Sequence, residues 1–243
     1  MQKEEEIWYA EWFNTPFYHI LYKDRDYEEA GAFMQRLTTF LKLKKGAKIL
    51  DLACGKGRHS KFLNTLGFDV TGVDLSPASI AFAKQFKNET LSFREHDMCI
   101  PLAKKFDAVF NLFTSFGYFE TENDNIRTIK AIKEELNPGG YGVIDFLNSH
   151  HVINHLVKSE IKVVDGITFH IERKIEDNYI LKHISFTHKD IDYNFTEKVK
   201  ALTLDDFKSY FEKAGVKLHH CFGDYNLSPF HKETSQRLIL IFG

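Results

Sequence analysis

At 243 residues, 43% of them hydrophobic and 27% charged, the chain is long enough to bury a sizeable core, as one large domain or as a domain with an insertion. A formal net charge of -2, with both signs mixed along the sequence, argues against a polyanion-binding surface. Cys54, Cys99 and Cys221 are widely spaced and include no Cys-x-x-Cys pair, which argues against a disulfide scaffold or a zinc knuckle and for reduced thiols. The acidic start, Met1 to Glu6, does not read as a signal peptide, and no apolar run approaches membrane-spanning length. The expectation is a soluble, cytoplasmic protein.

In chain order, residues 7–45 are rich in aromatic side chains and read as helices, with Phe33, Leu37, Phe40 and Leu41 at helical spacing. Strands and helices then alternate. Residues 48–52 read as a strand, 58–66 as a helix ending at Gly67, and 69–73 as a second strand. Ser76-Pro77 has the capping serine and first-turn proline that open a helix. Residues 91–95 and 106–113 read as strands three and four, 124–136 as a helix, 137–140 (Asn-Pro-Gly-Gly) as a turn and 141–146 as strand five. Continuously apolar strands separated by helices predict a parallel sheet covered on both faces.

The period then changes. From about residue 160 to 201 apolar and polar residues alternate, punctuated by Asp165-Gly166, Asp177-Asn178 and Lys189-Asp190, which predicts an antiparallel meander with one wet face. Thr203-Leu-Asp-Asp206 opens a helix that Gly215 ends, and two strands near 216–221 and 237–242 close the chain. The expected layout is an α/β core of residues 1–155 and 202–243, with a helical cover at its N-terminus and residues 156–201 inserted as the meander.

The most informative segment is Ile49-Leu-Asp-Leu-Ala-Cys-Gly-Lys-Gly57, followed by Val73-Asp74. A buried strand stops at a carboxylate, small residues turn the chain into a helix, and a second strand sets another carboxylate beside that turn. Two glycines in such a turn are a weak signal, because nicotinamide-binding folds use them too. Asp51 sharpens it, since a carboxylate would repel a pyrophosphate but suits a ligand carrying an ammonium group. Ser60 stands where the dinucleotide fingerprint has its third glycine. His96-Asp97-Met98 places a further acid after strand three.

These segments resemble the class I S-adenosylmethionine-dependent methyltransferases, which have a Rossmann-like, seven-stranded, mostly parallel sheet. The resemblance runs from Ile49 to Phe146. It rests on Asp51 to Gly57 as the first motif, with Ala53 where a glycine is often found, on Val73-Asp74-Leu75-Ser76, on Asp97-Met98, and on Leu136-Asn-Pro-Gly-Gly140. It implies S-adenosyl-L-methionine as cofactor. Asp74 would bind the ribose hydroxyls, Leu75 and Met98 would sandwich the adenine, and Asp97 would accept from its amine. Ala53, Gly55 and Gly57 would admit the methionyl end, with Asp51 organising the loop. Asn111 and Leu112 would lie beneath the methionine moiety, their carbonyls facing its ammonium. Trp12, Tyr18 and Tyr22 become candidates for a cover, Tyr18 being the one assigned to the cofactor. Leu75, Met98 and Leu112 would be apolar in any core, and the aromatic residues also suit plain helix packing.

Methyl transfer from a sulfonium is an in-line displacement with a neutral leaving group, so it asks for alignment, exclusion of water and, for some acceptors, a base. His19, His59, Tyr118, His150 and Tyr225 are the candidates, and Tyr118 and His150 are the choice as catalytic residues. No metal is required: His150, His151 and His155 include a pair at ligand spacing, but nothing marks a third ligand. Cys54 reads as a small turn residue rather than a nucleophile. Asn111-Leu-Phe-Thr114 stands where amino-methylating DNA enzymes carry Asn-Pro-Pro-Tyr, so the expected acceptor is an oxygen or nitrogen nucleophile on a small molecule, with no nucleic acid or membrane partner. The meander would roof the acceptor or mediate a homodimer. Two other readings remain open at this point: a nicotinamide-dependent oxidoreductase, which Asp51, Ser60 and the closing strand pair oppose, and a non-catalytic S-adenosylmethionine-binding protein.

Overall fold

The computed structural model describes residues 12–23, 27–119 and 121–243. Among them, residues 27–152 and 202–243 form one compact unit and residues 12–23 and 153–201 a second. The N-terminal helices divide accordingly: α1 (Pro16–Leu21) belongs to the smaller unit and α2 (Tyr27–Phe40) to the larger.

In the larger unit β1 (Lys48–Leu52) leads through a short loop to α3 (Arg58–Thr65), β2 (Asp69–Asp74) and α4 (Pro77–Ala83). The Ser76 hydroxyl accepts from the Ser79 amide and Pro77 occupies the first turn of α4, as the sequence predicts. Then come β3 (Leu91–Glu95), β4 (Phe106–Asn111), α5 (Glu122–Glu135), β5 (Leu136–Leu147) and α6 (Ser149–Asn154). After the smaller unit's four strands the chain returns as α7 (Leu204–Ala214), opened by a capping box between Thr203 and Asp206 and ended by Gly215 at φ 70°. Strands β10 (Leu218–Phe222) and β11 (Arg237–Phe242) close it.

The seven strands form one sheet in the order β10-β11-β5-β4-β1-β2-β3. Strand β11 runs antiparallel to both of its neighbours, and the pairs among β1 to β5 are parallel. On one face Phe33 and Leu37 of α2, with Leu41 just after it, share a core with Ile49, Val70, Val143 and Ile239. Burying apolar side chains of this size contributes about 1.5–3 kcal/mol each, and this face holds the sheet edge steady beneath the site.

Two expectations shift. Strand β4 ends at Asn111 rather than at 113, because Phe113 and Thr114 adopt left-handed backbones at φ 59° and 60° and turn the chain out of the sheet. The Asn-Pro-Gly-Gly segment is a bulge inside β5 rather than a turn before it: Phe106 pairs with Leu136 and Ala108 already with Tyr141. Gly139 takes φ 77° there, and a Cβ on Gly140 would lie 3.0 Å from the carbonyls of Asn137 and Asp107.

The smaller unit pairs β6 (Ser159–Val164), β7 (Ile167–Glu176), β8 (Tyr179–His188) and β9 (Ile191–Lys200) as an antiparallel meander. Its three hairpin turns fall at the predicted pairs, with both central residues at positive φ in each. Ile171, Ile184, Phe169 and Phe186 face Trp12 and Leu21. Glu197 accepts from the Trp12 indole at 2.7 Å and from the Tyr22 hydroxyl at 2.6 Å, which satisfies both donors inside this unit.

The centre of β5 tests how tightly the larger unit is packed. A Cβ added at Gly142 would sit 2.6 Å from the Phe242 ring and 2.9 Å from Ile132 Cγ2. Gly142→Ala is therefore expected to lower unfolding free energy by about 1–3 kcal/mol, read as an earlier midpoint in urea with unchanged slope.

Candidate active site

The loop after β1 is built by backbone bonds to its neighbour β2. The Cys54 amide donates to the Val73 carbonyl at 2.9 Å, and the Gly55 amide donates to Asp74 Oδ2 at 2.8 Å. The other Asp74 oxygen accepts from the Ser76 amide at 2.8 Å. A further bond from the Gly57 amide to the Cys54 carbonyl, 3.0 Å, closes the turn. Helix α3 then packs so close to the sheet that a Cβ on Gly57 would meet the Phe93 ring at 2.6 Å, whereas a Cβ on Gly55 would meet no atom of the described residues within 4 Å. The loop thus needs glycine at 57 for packing and has open space above 55. Ala53, where the resembled motif often has glycine, holds φ 58°.

Two strand-end acids meet at this loop, and a third follows the next strand. Asp51 is 3% exposed and accepts from the Ser60 hydroxyl at 2.5 Å. Burial pushes its carboxyl up to about 7, the Ser60 bond opposes this, and the nearby charge of Asp74 adds to the rise. Burial also raises Asp74, against the two amides that favour its charged form. Asp97, after β3, turns one oxygen onto the Cys99 amide at 2.9 Å, and the His96 amide binds the Asp74 carbonyl, linking the second and third strand ends. Leu75 stands 45% exposed beside Asp74, and Met98 is half-buried.

Asn111 ends β4 fully buried. Among the described residues its amide nitrogen makes long contacts, 3.5 Å to the Leu52 carbonyl and 3.7 Å to the Met98 sulfur, and its Oδ1 has no partner. A buried acceptor left unmatched calls for a ligand or a water. Together with the open space over Gly55 and the exposed Leu75, it makes these residues a fit for an adenosyl amino acid. The structure brings Asp51, Ala53, Gly55, Gly57, Asp74, Leu75, Asp97, Met98, Asn111 and Leu112 to the carboxyl ends of β1 to β4. Tyr18 lies in the smaller unit, edge-on to Trp12 and Phe13 and tilted against Tyr22. Burial drives the Cys54 thiol far up, so it stays protonated and is no nucleophile.

The second half of this edge was not legible as a site. Asp145, within the apolar run of β5, is wholly buried and accepts from the Phe113 amide at 2.8 Å and from Arg237 Nε at 2.8 Å. The Tyr225 hydroxyl approaches it at 3.3 Å, and Arg237 also reaches Thr114 Oγ1 at 2.9 Å. Phe113 stacks on the His59 ring at 4.2 Å and packs against Phe33 and Tyr225. Arg237, from β11, therefore holds the turn after β4. The available signal was a lone acid and a lone base in two otherwise apolar strands. Of the two catalytic candidates, Tyr118 is half-buried in the segment after β4, close enough to Arg237 to favour its charge. His150 lies in α6 with Nδ1 3.1 Å from Glu233.

A parallel sheet with one reversed strand near its edge, and a glycine loop ringed by strand-end carboxylates, defines a Rossmann-like fold of the kind that class I methyltransferases use. Residues 23–221 match the family model described as a methyltransferase domain, and the chain belongs to that family: it is a class I S-adenosylmethionine-dependent methyltransferase, an enzyme. A Bacillus subtilis protein described as a methyltransferase, YqeM, is 27% identical over 194 residues, 75% of this chain and 78% of its own. The dTDP-3-amino-3,4,6-trideoxy-alpha-D-glucopyranose N,N-dimethyltransferase of Streptomyces venezuelae is 32% identical over 103 residues, 42% of this chain and 43% of that protein. In fold, a Clostridium acetobutylicum S-adenosylmethionine-dependent methyltransferase superposes with a TM-score of 0.77 at 21% identity, over 92% of this chain and 94% of that one. Family membership ends the nicotinamide-oxidoreductase reading.

Ala53 carries a left-handed backbone that costs an ordinary residue about 1–2 kcal/mol, partly offset by glycine's greater freedom when unfolded. Ala53→Gly is expected to raise stability by about 0.5–1 kcal/mol in chemical denaturation, with no loss of cofactor affinity in calorimetry.

Proposed function

We propose that this enzyme transfers the methyl group of S-adenosyl-L-methionine to an oxygen or nitrogen nucleophile of a small molecule in the cytoplasm. The observation that carries the reading is the space over Gly55, which no described residue fills, beside the strand-end carboxylates of Asp51 and Asp74. A small-molecule acceptor is supported by the Streptomyces venezuelae relative, whose name gives an amino sugar nucleotide as its acceptor. Three unpaired cysteines suit a reducing compartment, and no helix among the described residues is long and apolar enough to cross a membrane.

The bound cofactor would supply a methyl group already activated by a sulfonium. What the chain contributes is binding, orientation and proton handling. Asp74 keeps lone pairs beyond the two its loop amides use, and these suit ribose hydroxyls. Asp97 can accept from an adenine amine while Leu75 and Met98 cover the ring faces. The small residues 53, 55 and 57 let the methionyl end approach the backbone, and Asn111 and Leu112 lie beneath it. Tyr118 and His150 serve as acceptor-orienting or proton-accepting groups, and His150 Nδ1 lies 3.1 Å from Glu233. Tyr18 stands outside the larger unit, and the reading does not depend on it.

Calorimetry is expected to show micromolar-range binding of S-adenosylmethionine and S-adenosylhomocysteine and no binding of NAD. Asp74→Ala should weaken the first two by about 1–3 kcal/mol, the scale of lost hydrogen bonds to a buried charge. Tight NAD binding, or unchanged affinity in the variant, would overturn the assignment. The acceptor itself is found by screening transfer from labelled donor across a metabolite panel.

The raised carboxyl of Asp51 gives a pH signature. Its folded value of about 7 exceeds the unfolded value of about 3.9, so the stability it contributes is fully present below about pH 4 and is lost as pH rises towards 7. A cationic ligand favours the ionised form, so S-adenosylmethionine affinity should rise from pH 6 to 8, with proton release on binding. S-adenosylhomocysteine, which lacks the sulfonium charge, should show a shallower rise, and Asp51→Asn should flatten both. Equal, flat profiles in the unmodified protein would disprove the coupling.

A further inference from the structure

The turn after β4 is oriented by β5. The Phe113 amide donates to the Asp145 carboxylate and the Thr114 amide to the Asp145 carbonyl, at 2.8 and 2.9 Å. In the sheet β5 lies on one side of β4 and β1, with its glycine loop, on the other. A trans peptide points its N–H and C=O in opposite directions. With both amides turned towards Asp145, the carbonyls of Leu112 and Phe113 are turned away from it, and the Leu112 carbonyl also accepts from the Ser115 hydroxyl at 3.0 Å. The His59 ring, from the helix that follows the glycine loop, stacks on Phe113 at 4.2 Å and confirms that the turn and the loop are neighbours. Neither left-handed residue is glycine, so the turn needs an external hold. Arg237 supplies it from β11: Nη2 bonds Asp145 Oδ1 at 2.7 Å and Thr114 Oγ1 at 2.9 Å, while Nε bonds the same carboxylate. The guanidinium also lies over the Tyr225 ring, 5.4 Å from its centroid.

We propose that Asp145 and Arg237 are positioning residues for the amino-acid end of the cofactor. They hold the Phe113–Thr114 turn so that the Phe113 carbonyl, and the lone pair of the Leu112 carbonyl that Ser115 leaves unused, face the ammonium group. The assignment rests on the cofactor reading above and adds to it a pair of residues that touch neither cofactor nor acceptor.

The test compares two probes, S-adenosylhomocysteine, which has the ammonium, and 5′-methylthioadenosine, which lacks the whole amino-acid end. Breaking a buried ion pair on one side alone leaves an unmatched charge and risks unfolding, so both partners are replaced together. Asp145→Leu with Arg237→Met removes the acceptor for the Phe113 amide. Asp145→Asn with Arg237→Met removes the charges but restores an acceptor oxygen. The first double variant should bind S-adenosylhomocysteine at least tenfold more weakly and 5′-methylthioadenosine within threefold of the unmodified protein. The second should recover both to within threefold. Should the leucine variant not fold, Thr114→Val, which removes only the hydroxyl reached by Arg237, gives the same contrast at about threefold. Equal losses for the two probes, or no loss for S-adenosylhomocysteine, overturn the proposal. Failure of the unmodified protein to bind either probe would instead remove the cofactor reading itself.

Discussion

The amide of Gly55 donating to the carboxylate of Asp74 at 2.8 Å is the contact from which the rest of the site follows. It spans two neighbouring parallel strands just past Leu52 and Val73, where the ladder between them ends. Without it, the small residues after β1 would have no reason to adopt one conformation. With it, the chain is turned so that α3 begins against the sheet, and Ser60 in its first turn reaches back to Asp51. The glycines at 57 and 72 make this possible by letting the Phe93 ring fill the space that side chains there would take. One buried and one half-buried acid are thereby set side by side at the ends of β1 and β2, a costly placement unless a cation comes to share it.

Much of this was legible because each strand end carries its own punctuation. Asp51, Gly55 and Gly57, then Asp74 with Ser76-Pro77, mark where strands stop and helices start, and the structure places them so. The three hairpins of the smaller unit were equally open to reading, since paired turn residues between alternating strands admit few other outcomes. The limits of β4 and β5 were not. Phe113 and Thr114 look like the continuation of an apolar strand, and only tertiary bonds from Asp145 and Arg237 force them into the left-handed region. Asn-Pro-Gly-Gly has the composition of a turn, yet pairing with β4 on both sides absorbs it as a bulge.

The N-terminal aromatic residues illustrate a different limit. Trp12, Tyr18 and Tyr22 have the composition of a lid and equally that of a core. Trp12 and Tyr22 meet Glu197, on a strand some 185 and 175 residues away in sequence, and no local pattern announces such a partner. Asp145 and Arg237 are a parallel case at shorter range, 92 residues apart, and there the lone charges in apolar strands offered a clue.

The chain leaves the larger unit after residue 152 and re-enters it at 202. At that re-entry the Ser149 hydroxyl donates to the Leu202 carbonyl at 2.7 Å, both residues belonging to the larger unit. The excursion is therefore a loop with a stitched neck. Loop-closure entropy grows only slowly with length, so the sheet is nearly indifferent to what hangs from that stitch. Evolution can lengthen, trim or exchange such an appendage without re-solving the nucleotide end of the problem, and a grafting experiment could begin at the same two residues.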